Sequence, residues 1–168
     1  MTQVHIIVDD ALSETVPYPW RSLLAAAASA TLAHQSAPTG ELTVLITGDE
    51  MLAALNQSHR GILGPTDVLA FPAGEMPPIP DLAHYFGDIA ISLHRAETQA
   101  ADRGHTVEEE LQLLVVHGTL HLLGHDHAES DQKRRMWSAQ GEVLGQLGVS
   151  IQVPDQVPSP GLSHPESR

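Results

Sequence analysis

Three histidines within one short segment have the spacing of ligands to a single metal ion. His117 and His121 are four residues apart, so on a helix their side chains lie on the same face. A third imidazole must come from beyond Gly124, where we expect the chain to reverse. Spacing alone does not decide whether this third ligand is His125 or His127. Three imidazoles leave the fourth position of a tetrahedral zinc ion to water, which is typical of catalytic rather than structural sites.

The donor atoms available to this segment restrict the metal. The chain contains no cysteine, so an ion must be bound through nitrogen and oxygen. We expect one Zn²⁺ per chain, although nitrogen-rich sites also accept nickel, copper, iron or cobalt. Water on a zinc ion has its pKa lowered to about 7, so hydroxide forms at neutral pH. The chemistry indicated is hydrolysis or a related transfer.

The same spacing matches the metzincin protease pattern H-E-x-x-H-x-x-G-x-x-H. The residue after the first histidine is Gly118, where the protease pattern has the glutamate that acts as general base on the metal-bound water. A chain with the ligands and without this base is a poor protease. A metalloprotease is therefore the weakest of the alternatives.

The periodicity of the hydrophobic residues predicts an α+β fold, with helices packed on a mixed sheet of about four strands. Strands at 67–71 and 88–92 follow one another with no helix between them, which indicates a mixed rather than a purely parallel sheet. The segment at 108–123 is apolar nearly all round beyond its first turn, as expected of a central, buried helix that carries the metal ligands. Further strands are predicted at 4–8 and 42–47, and further helices at 20–34, 50–57, 93–101 and 130–148.

Local signals predict how two of these helices begin and where one connection lies. Capping boxes are expected from Thr47 to Glu50 and from Thr106 to Glu109. Residues 59–66 contain two glycines and one proline, which is typical of a loop. This loop is expected to carry Arg60.

Composition limits the class of protein. With 168 residues, 42% hydrophobic and 17% charged, the chain is expected to form one folded domain over residues 1–153. The proline- and serine-rich residues 154–168 are expected to be a disordered tail. We see no secretory signal and no apolar stretch long enough to cross a bilayer, so we expect a cytoplasmic protein without a membrane partner.

The net charge argues against tight binding of nucleic acid by the protein alone. The formal charge is −13, with only 8 basic residues, whereas contacts to phosphate are made chiefly by Lys and Arg. A bound divalent ion would supply local positive charge that the net charge does not reveal. Weak, salt-sensitive affinity is the expectation for any nucleic-acid substrate.

Three sequence blocks resemble a known family. HGTLHLLGHDH, at 117–127, is similar to the H-G-x-L-H-L-x-G-[aromatic or His]-D-H signature of the bacterial YbeY proteins, which are metal-dependent, single-strand-specific endoribonucleases of ribosomal RNA maturation. LNQSHRGILGPTDVLAFP, at 55–72, resembles the family's arginine-containing block, and GDIAIS, at 87–92, resembles its G-D-I-x-I-S block. ELTVLITGDEMLAALN, at 41–56, is similar to the segment that leads into them, and the matching stretches occur in family order between about residues 41 and 148.

The resemblance implies a metallo-endoribonuclease domain and assigns roles to particular residues. It implies His117, His121 and His127 as the metal ligands, and Arg60, His117 and His121 as the catalytic residues. Cleavage of a phosphodiester develops charge on non-bridging oxygens, which the guanidinium of Arg60 can clamp with two donors. The implied process is maturation of the 16S ribosomal RNA 3′ end and ribosome quality control.

The resemblance also implies partners, and it leaves alternatives open. The implied partners are single-stranded ribosomal RNA, the ribosome or proteins of its small subunit, and an assembly GTPase. The nucleophile is either water or the neighbouring 2′-OH, and the general base is either metal-bound hydroxide or Asp126. The alternative function is a non-catalytic ribosome-assembly factor whose zinc is purely structural.

Several polar residues have both a functional and an ordinary interpretation. Thr66, Asp67 and Asp88 could orient the loop of Arg60 or the metal ligands, with Asp67 the better candidate, or could cap turns and strand ends. The basic residues at 133–135 could border the cleft of the metal site, or could form the solvated face of a helix.

Overall fold

The computed structural model describes residues 2–73 and 84–151 and has the α+β architecture that the sequence predicts. Four strands form one mixed sheet, and five α-helices pack on it. The predicted domain boundary at 153 and the predicted disordered tail lie outside the described residues. In chain order the elements are β1 (Gln3–Val8), a short 3₁₀ turn (Asp10–Leu12), α1 (Tyr18–His34), β2 (Gly40–Thr47), α2 (Asp49–Arg60), β3 (Val68–Pro72), β4 (His84–Ser92), α3 (Leu93–Arg103), α4 (Val107–Leu122) and α5 (Ser130–Gln146).

The sheet has the strand order β1-β2-β4-β3. β1, β2 and β4 are parallel to one another, and β3 runs antiparallel to β4. This order confirms the mixed sheet, because the two strands that follow one another without an intervening helix are also the antiparallel pair. It also places β4 between β2 and β3, near the middle of the molecule.

The two faces of the sheet are covered unequally. One face packs against α1, α3 and α4 through the main core, which includes Val44, Ile46, Ile89 and Ile91, and α5 joins this core by packing on α1 and α4. Among the described residues, the other face is covered only by α2, through a small cluster of Leu52, Leu69 and Ala90 with Leu55 and Phe71 beside it. Ile7 on this face is 52% exposed, so the described elements leave part of the second face uncovered.

Helix α4 is the central, buried helix that the sequence predicts. Its residues from Glu110 to Leu120 are all buried, and a Cβ atom on Gly118 would lie 2.9 Å from Cγ2 of Ile89 on β4. Real Cβ contacts are essentially never so short, so close packing of α4 on β4 requires glycine at position 118. The glutamate of the metzincin pattern would not fit there without moving the helix.

Of three predictions about helix ends, two are confirmed and one is wrong. The capping box from Thr106 to Glu109 is present. The expected box at Thr47 is absent, because the N-cap of α2 is Gly48 and the Thr47 hydroxyl donates instead to Asp9 Oδ2 at 3.0 Å. Gly124 follows the last residues of α4 with a positive φ of 97°, as predicted for a glycine that ends a helix.

The predicted loop at 59–66 begins too early. Helix α2 continues through Arg60 and ends at Gly61, whose φ of 67° is left-handed. His59 and Arg60 therefore lie in the last turn of α2, where positive charge is favoured by the helix dipole. A helix end holds the Arg60 backbone more rigidly than a loop would.

No helix in the described residues is both long and apolar enough to cross a membrane.

Candidate metal centre

Helix α4 presents two of the candidate ligands on one face. The ring centroids of His117 and His121 are 4.8 Å apart. Beyond them the helix ends in two reversing hydrogen bonds, from Gly124 N to His121 O and from His125 N to Leu120 O, each 3.0 Å long. This pair of bonds is a Schellman motif, and it turns the chain back towards the face that carries the two histidines.

The reversed chain brings His127 to the other two rings. Its ring centroid lies 5.7 Å from that of His117 and 5.2 Å from that of His121. One ligand atom from each of the three residues lies within 4.8 Å of the others, so the cluster could hold a metal ion. His125, which spacing left as a rival, bonds instead through Nε2 to Gln35 Oε1 at 2.7 Å.

The chemistry of the cluster fits an ion such as zinc. The Nε2 atom of His121 is buried and has no hydrogen-bond partner among the described residues. Burial, and next the neighbouring His127, lower the pKa of His121 from 6.5 to about 4. At neutral pH this imidazole is uncharged and has a lone pair to give, which is the form that binds a metal. Three imidazoles are a suitable donor set for zinc.

Two side chains of helix α5 contact the histidine cluster. His117 Nδ1 lies 2.9 Å from Oε1 of Gln140, a fully buried residue. Because the amide oxygen accepts, Nδ1 carries the hydrogen and Nε2 keeps its lone pair. The ring of Trp137 packs edge-on against His117 and His127, with centroids 5.7 and 5.5 Å away. These two residues of α5 form one wall of the site.

Two of the basic residues at 133–135 make different contacts, which bear on whether this run borders the metal site or forms a solvated helix face. Lys133 Nζ lies 5.7 Å from the ring centroid of Trp137, whose ring packs against His117 and His127. Arg134 pairs with Asp131, and both side chains are exposed. That pair belongs to the solvated face of α5.

Arg60 lies in the last turn of α2. It lines a cleft of about 770 Å³, together with His59, Phe71 and Asp88. Its positive charge is one of the causes that lower the pKa of His121, so the guanidinium lies within electrostatic reach of the histidines. The structure places Arg60 at a helix end rather than in a loop, and its role beside the three histidines stays a prediction.

Asp67, the better of the carboxylate candidates, does not line this cleft. It is buried at the start of β3, where its side chain accepts from Val68 N at 2.8 Å and from Gln99 Nε2 at 3.2 Å. Thr66 donates to the same carboxylate at 3.3 Å. These contacts tie β3 to α3, which is the capping role considered for Thr66 and Asp67. Asp88 does line the cleft.

Sequence reasoning did not single out Gln140 or Trp137. A signal for Gln140 is present, because it stands among the buried positions of α5, where apolar residues recur at helical spacing. A polar residue in such a place needs a partner, and His117 provides it. The buried positions of that helix are Met136, Ala139, Gln140, Val143 and Leu144.

Residues 9–148 match the family model described as Endoribonuclease YbeY. The chain belongs to the YbeY family. This confirms the resemblance of the three sequence blocks.

Two proteins named Endoribonuclease YbeY illustrate the similarity. The one from Roseiflexus sp. (strain RS-1) is 46% identical over 122 residues, covering 70% of this chain and 76% of that protein. The one from Chloroflexus aggregans is 40% identical over 152 residues, covering 87% of this chain and 96% of that protein.

A solved structure of a more distant protein has the same fold. The solution structure of a Thermotoga maritima protein superposes with a TM-score of 0.51 at 24% sequence identity, covering 94% of this chain and 98% of that one. At this identity the likeness bears on the fold alone. In this YbeY chain, the match from 9 to 148 includes Arg60, the three clustered histidines and both residues of α5 that contact them.

Proposed function

We propose that this protein is a metal-dependent endoribonuclease, specific for single-stranded RNA, that acts in ribosomal RNA processing. The observation that carries the proposal is the cluster of His117, His121 and His127 with Arg60 in electrostatic reach. Membership of the YbeY family supports the same activity. The particular process we propose is maturation of the 16S ribosomal RNA 3′ end and ribosome quality control.

Each group in the site has a part in this proposal. His117, His121 and His127 would hold one Zn²⁺, which when bound supplies Lewis-acid activation of the phosphodiester. Arg60 contacts the non-bridging oxygens with two parallel donors and stabilises the charge that develops on them. Gln140 keeps the His117 ring in one orientation. Arg60, His117 and His121 are thus the proposed catalytic residues.

Asp126 remains a candidate base. Its Oδ1 accepts a hydrogen bond from the backbone N–H of His127 at 2.7 Å, which fixes the carboxylate beside the third histidine. Its position next to the cluster is compatible with accepting a proton from water or from a 2′-OH. The position does not discriminate between the two nucleophiles.

The charge of the chain supports a need for partners. With a net charge of −13, the protein alone has little to attract phosphate beyond the bound ion and Arg60. We therefore propose that the ribosome, through small-subunit proteins and an assembly GTPase, delivers the RNA, and that the protein works in the cytoplasm. A non-catalytic zinc-containing assembly factor is the alternative to be tested.

The deciding experiment pairs metal analysis with cleavage of a defined single-stranded RNA. We expect the wild type to contain zinc and to cleave, His121→Ala to lose both properties, and Arg60→Ala to keep the metal but lose cleavage. Arg21→Ala is the matched control, since Arg21 lies on α1, against Tyr18. If cleavage survives both chelation and His121→Ala, the proposal is wrong. If Arg60→Ala leaves the fold and the biological role untouched, the assembly-factor alternative is favoured.

A further inference from the structure

The cleft beside Arg60 has the size and lining of a small-ligand site. Its volume of about 770 Å³ lies within the usual range for such sites, roughly 300–1,000 Å³. The floor is the sheet face that α2 leaves uncovered, and Ile7 and Leu45 make it apolar. Ile7 is 52% exposed, so an apolar, planar group in the cleft would shield it from water.

Asp88 places one carboxylate on this apolar floor. It is the one acidic residue among the described residues that line the cleft. The hydroxyl of Tyr85 donates to Asp88 Oδ1 at 2.5 Å and lies 2.9 Å from the Thr43 hydroxyl. These contacts orient the carboxylate and use only one of its acceptor positions. An ionised carboxylate has about four such positions, so Asp88 can accept further hydrogen bonds from a ligand.

Two aromatic rings stand beside the carboxylate. Phe71 on β3 and His59 on α2 both line the cleft, with ring centroids 4.9 Å apart. Aromatic faces of this kind stack nucleic-acid bases with little regard to sequence. The rings therefore suit a base, and any choice among bases must come from the polar group next to them.

The other charged group among the described residues that line the cleft is a cation. Arg60 lines the same cleft as Asp88, and its charge reaches His121. A nucleotide with its base at Asp88 would therefore have an arginine available for its phosphate.

We propose that this cleft binds a guanine base of the RNA, with Asp88 accepting from its Watson–Crick edge and Arg60 contacting its phosphate. Guanine offers two adjacent donors, N1–H and the N2 amino group, which match the two oxygens of a carboxylate. The other bases present one donor beside an acceptor that would face a carboxylate oxygen. The inference rests on the proposed ribonuclease function and adds a base preference to it.

Binding of mononucleotides tests the base preference without requiring cleavage. The full chain, labelled with ¹⁵N, is titrated with guanosine 5′-monophosphate and with inosine 5′-monophosphate, which lacks only the N2 amino group. We expect guanosine monophosphate to bind at least about fivefold more tightly, since a bidentate pair contributes about 1–3 kcal/mol of discrimination. The largest amide shifts are expected at Asp88 and Phe71.

Two variants make the test specific to Asp88. Asp88→Asn should lower the affinity for guanosine monophosphate to that for inosine monophosphate. Glu41→Gln is the matched control, because Glu41 lies on β2, pairs with His5 at 2.9 Å, and is not among the lining residues of the cleft. Equal binding of the two nucleotides to the wild type, or a preference that survives Asp88→Asn, would overturn the proposal.

Cleavage then separates this inference from the proposed function. Single-stranded RNAs that contain one guanosine, or one inosine at the same place, are compared as substrates. We expect faster cleavage next to guanosine, and equal rates with Asp88→Asn. Equal rates with the wild type would reject the base preference alone. If the wild type cleaves neither RNA, the ribonuclease proposal fails, and the nucleotide titration still decides the base preference.

Discussion

Gln140 accepts a hydrogen bond from Nδ1 of His117 at 2.9 Å, across 23 residues of sequence and from one helix to another. The glutamine is fully buried and His117 is 5% exposed, so water does not compete for this bond. Such partners fix the tautomer and the orientation of a metal-binding histidine. The orientation of one candidate ligand on α4 therefore depends on a residue of α5.

This bond predicts the effect of replacing Gln140. Gln140→Leu should weaken zinc binding by roughly 10–100-fold, the usual cost of losing the outer partner of a ligand histidine. Gln140→Glu keeps an acceptor oxygen and should restore much of the affinity. Affinity is measured by competition with a chromogenic chelator, and circular dichroism checks the fold. Unchanged affinity in Gln140→Leu would show that His117 does not need this partner.

Trp137 should report metal binding directly. Its ring contacts His117 and His127, so an open-shell ion such as Ni²⁺ or Cu²⁺ in the cluster should quench its fluorescence. The other tryptophan, Trp20, lies on α1. Trp137→Phe should therefore remove the metal-dependent part of the signal and leave the emission of Trp20. Quenching that persists in Trp137→Phe would place the ion elsewhere.

The part of the site on α4 could be predicted from sequence because it depends on local geometry. Spacing places His117 and His121 on one face of a helix, and Gly124 ends that helix. The choice of His127 over His125 required either the family resemblance or the structure, because both histidines follow the reversal. In the structure the two histidines differ in their partners. His125 is hydrogen-bonded to Gln35, which lies 90 residues earlier in the sequence.

The other features depend on contacts between distant segments. Thr47 looks like a helix cap in sequence, but its hydroxyl bonds to Asp9, 38 residues earlier. The loop signals of Gly61, Gly64 and Pro65 predicted an early end for α2, whereas Gly61 itself serves as the left-handed residue that ends it. The cleft follows from the strand order of the sheet, which no local pattern reveals.

Gly118 should be intolerant of a larger residue for a steric reason. A Cβ atom there would lie 2.9 Å from Cγ2 of Ile89, and overpacking of this kind costs about 1–3 kcal/mol. We expect Gly118→Ala to lower the free energy of unfolding by that amount in urea titrations. In an Ile89→Ala background the same change should cost less, because the opposing atoms are gone. An equal cost in both backgrounds would contradict the steric explanation.

The identity of the third ligand can be tested by comparing two histidines that lie two residues apart. A ligand that binds only the folded state stabilises it by RT ln(1 + [L]/Kd), about 4 kcal/mol at a thousandfold excess over Kd. Added zinc should therefore raise the melting temperature of the wild type. It should do the same for His125→Ala, whose ring bonds to Gln35 at 2.7 Å. His127→Ala should lose most of the zinc-dependent increase, because its ring completes the cluster with His117 and His121. The reverse pattern, with His125→Ala unresponsive and His127→Ala normal, would show that the chain after Gly124 presents the other imidazole to the metal.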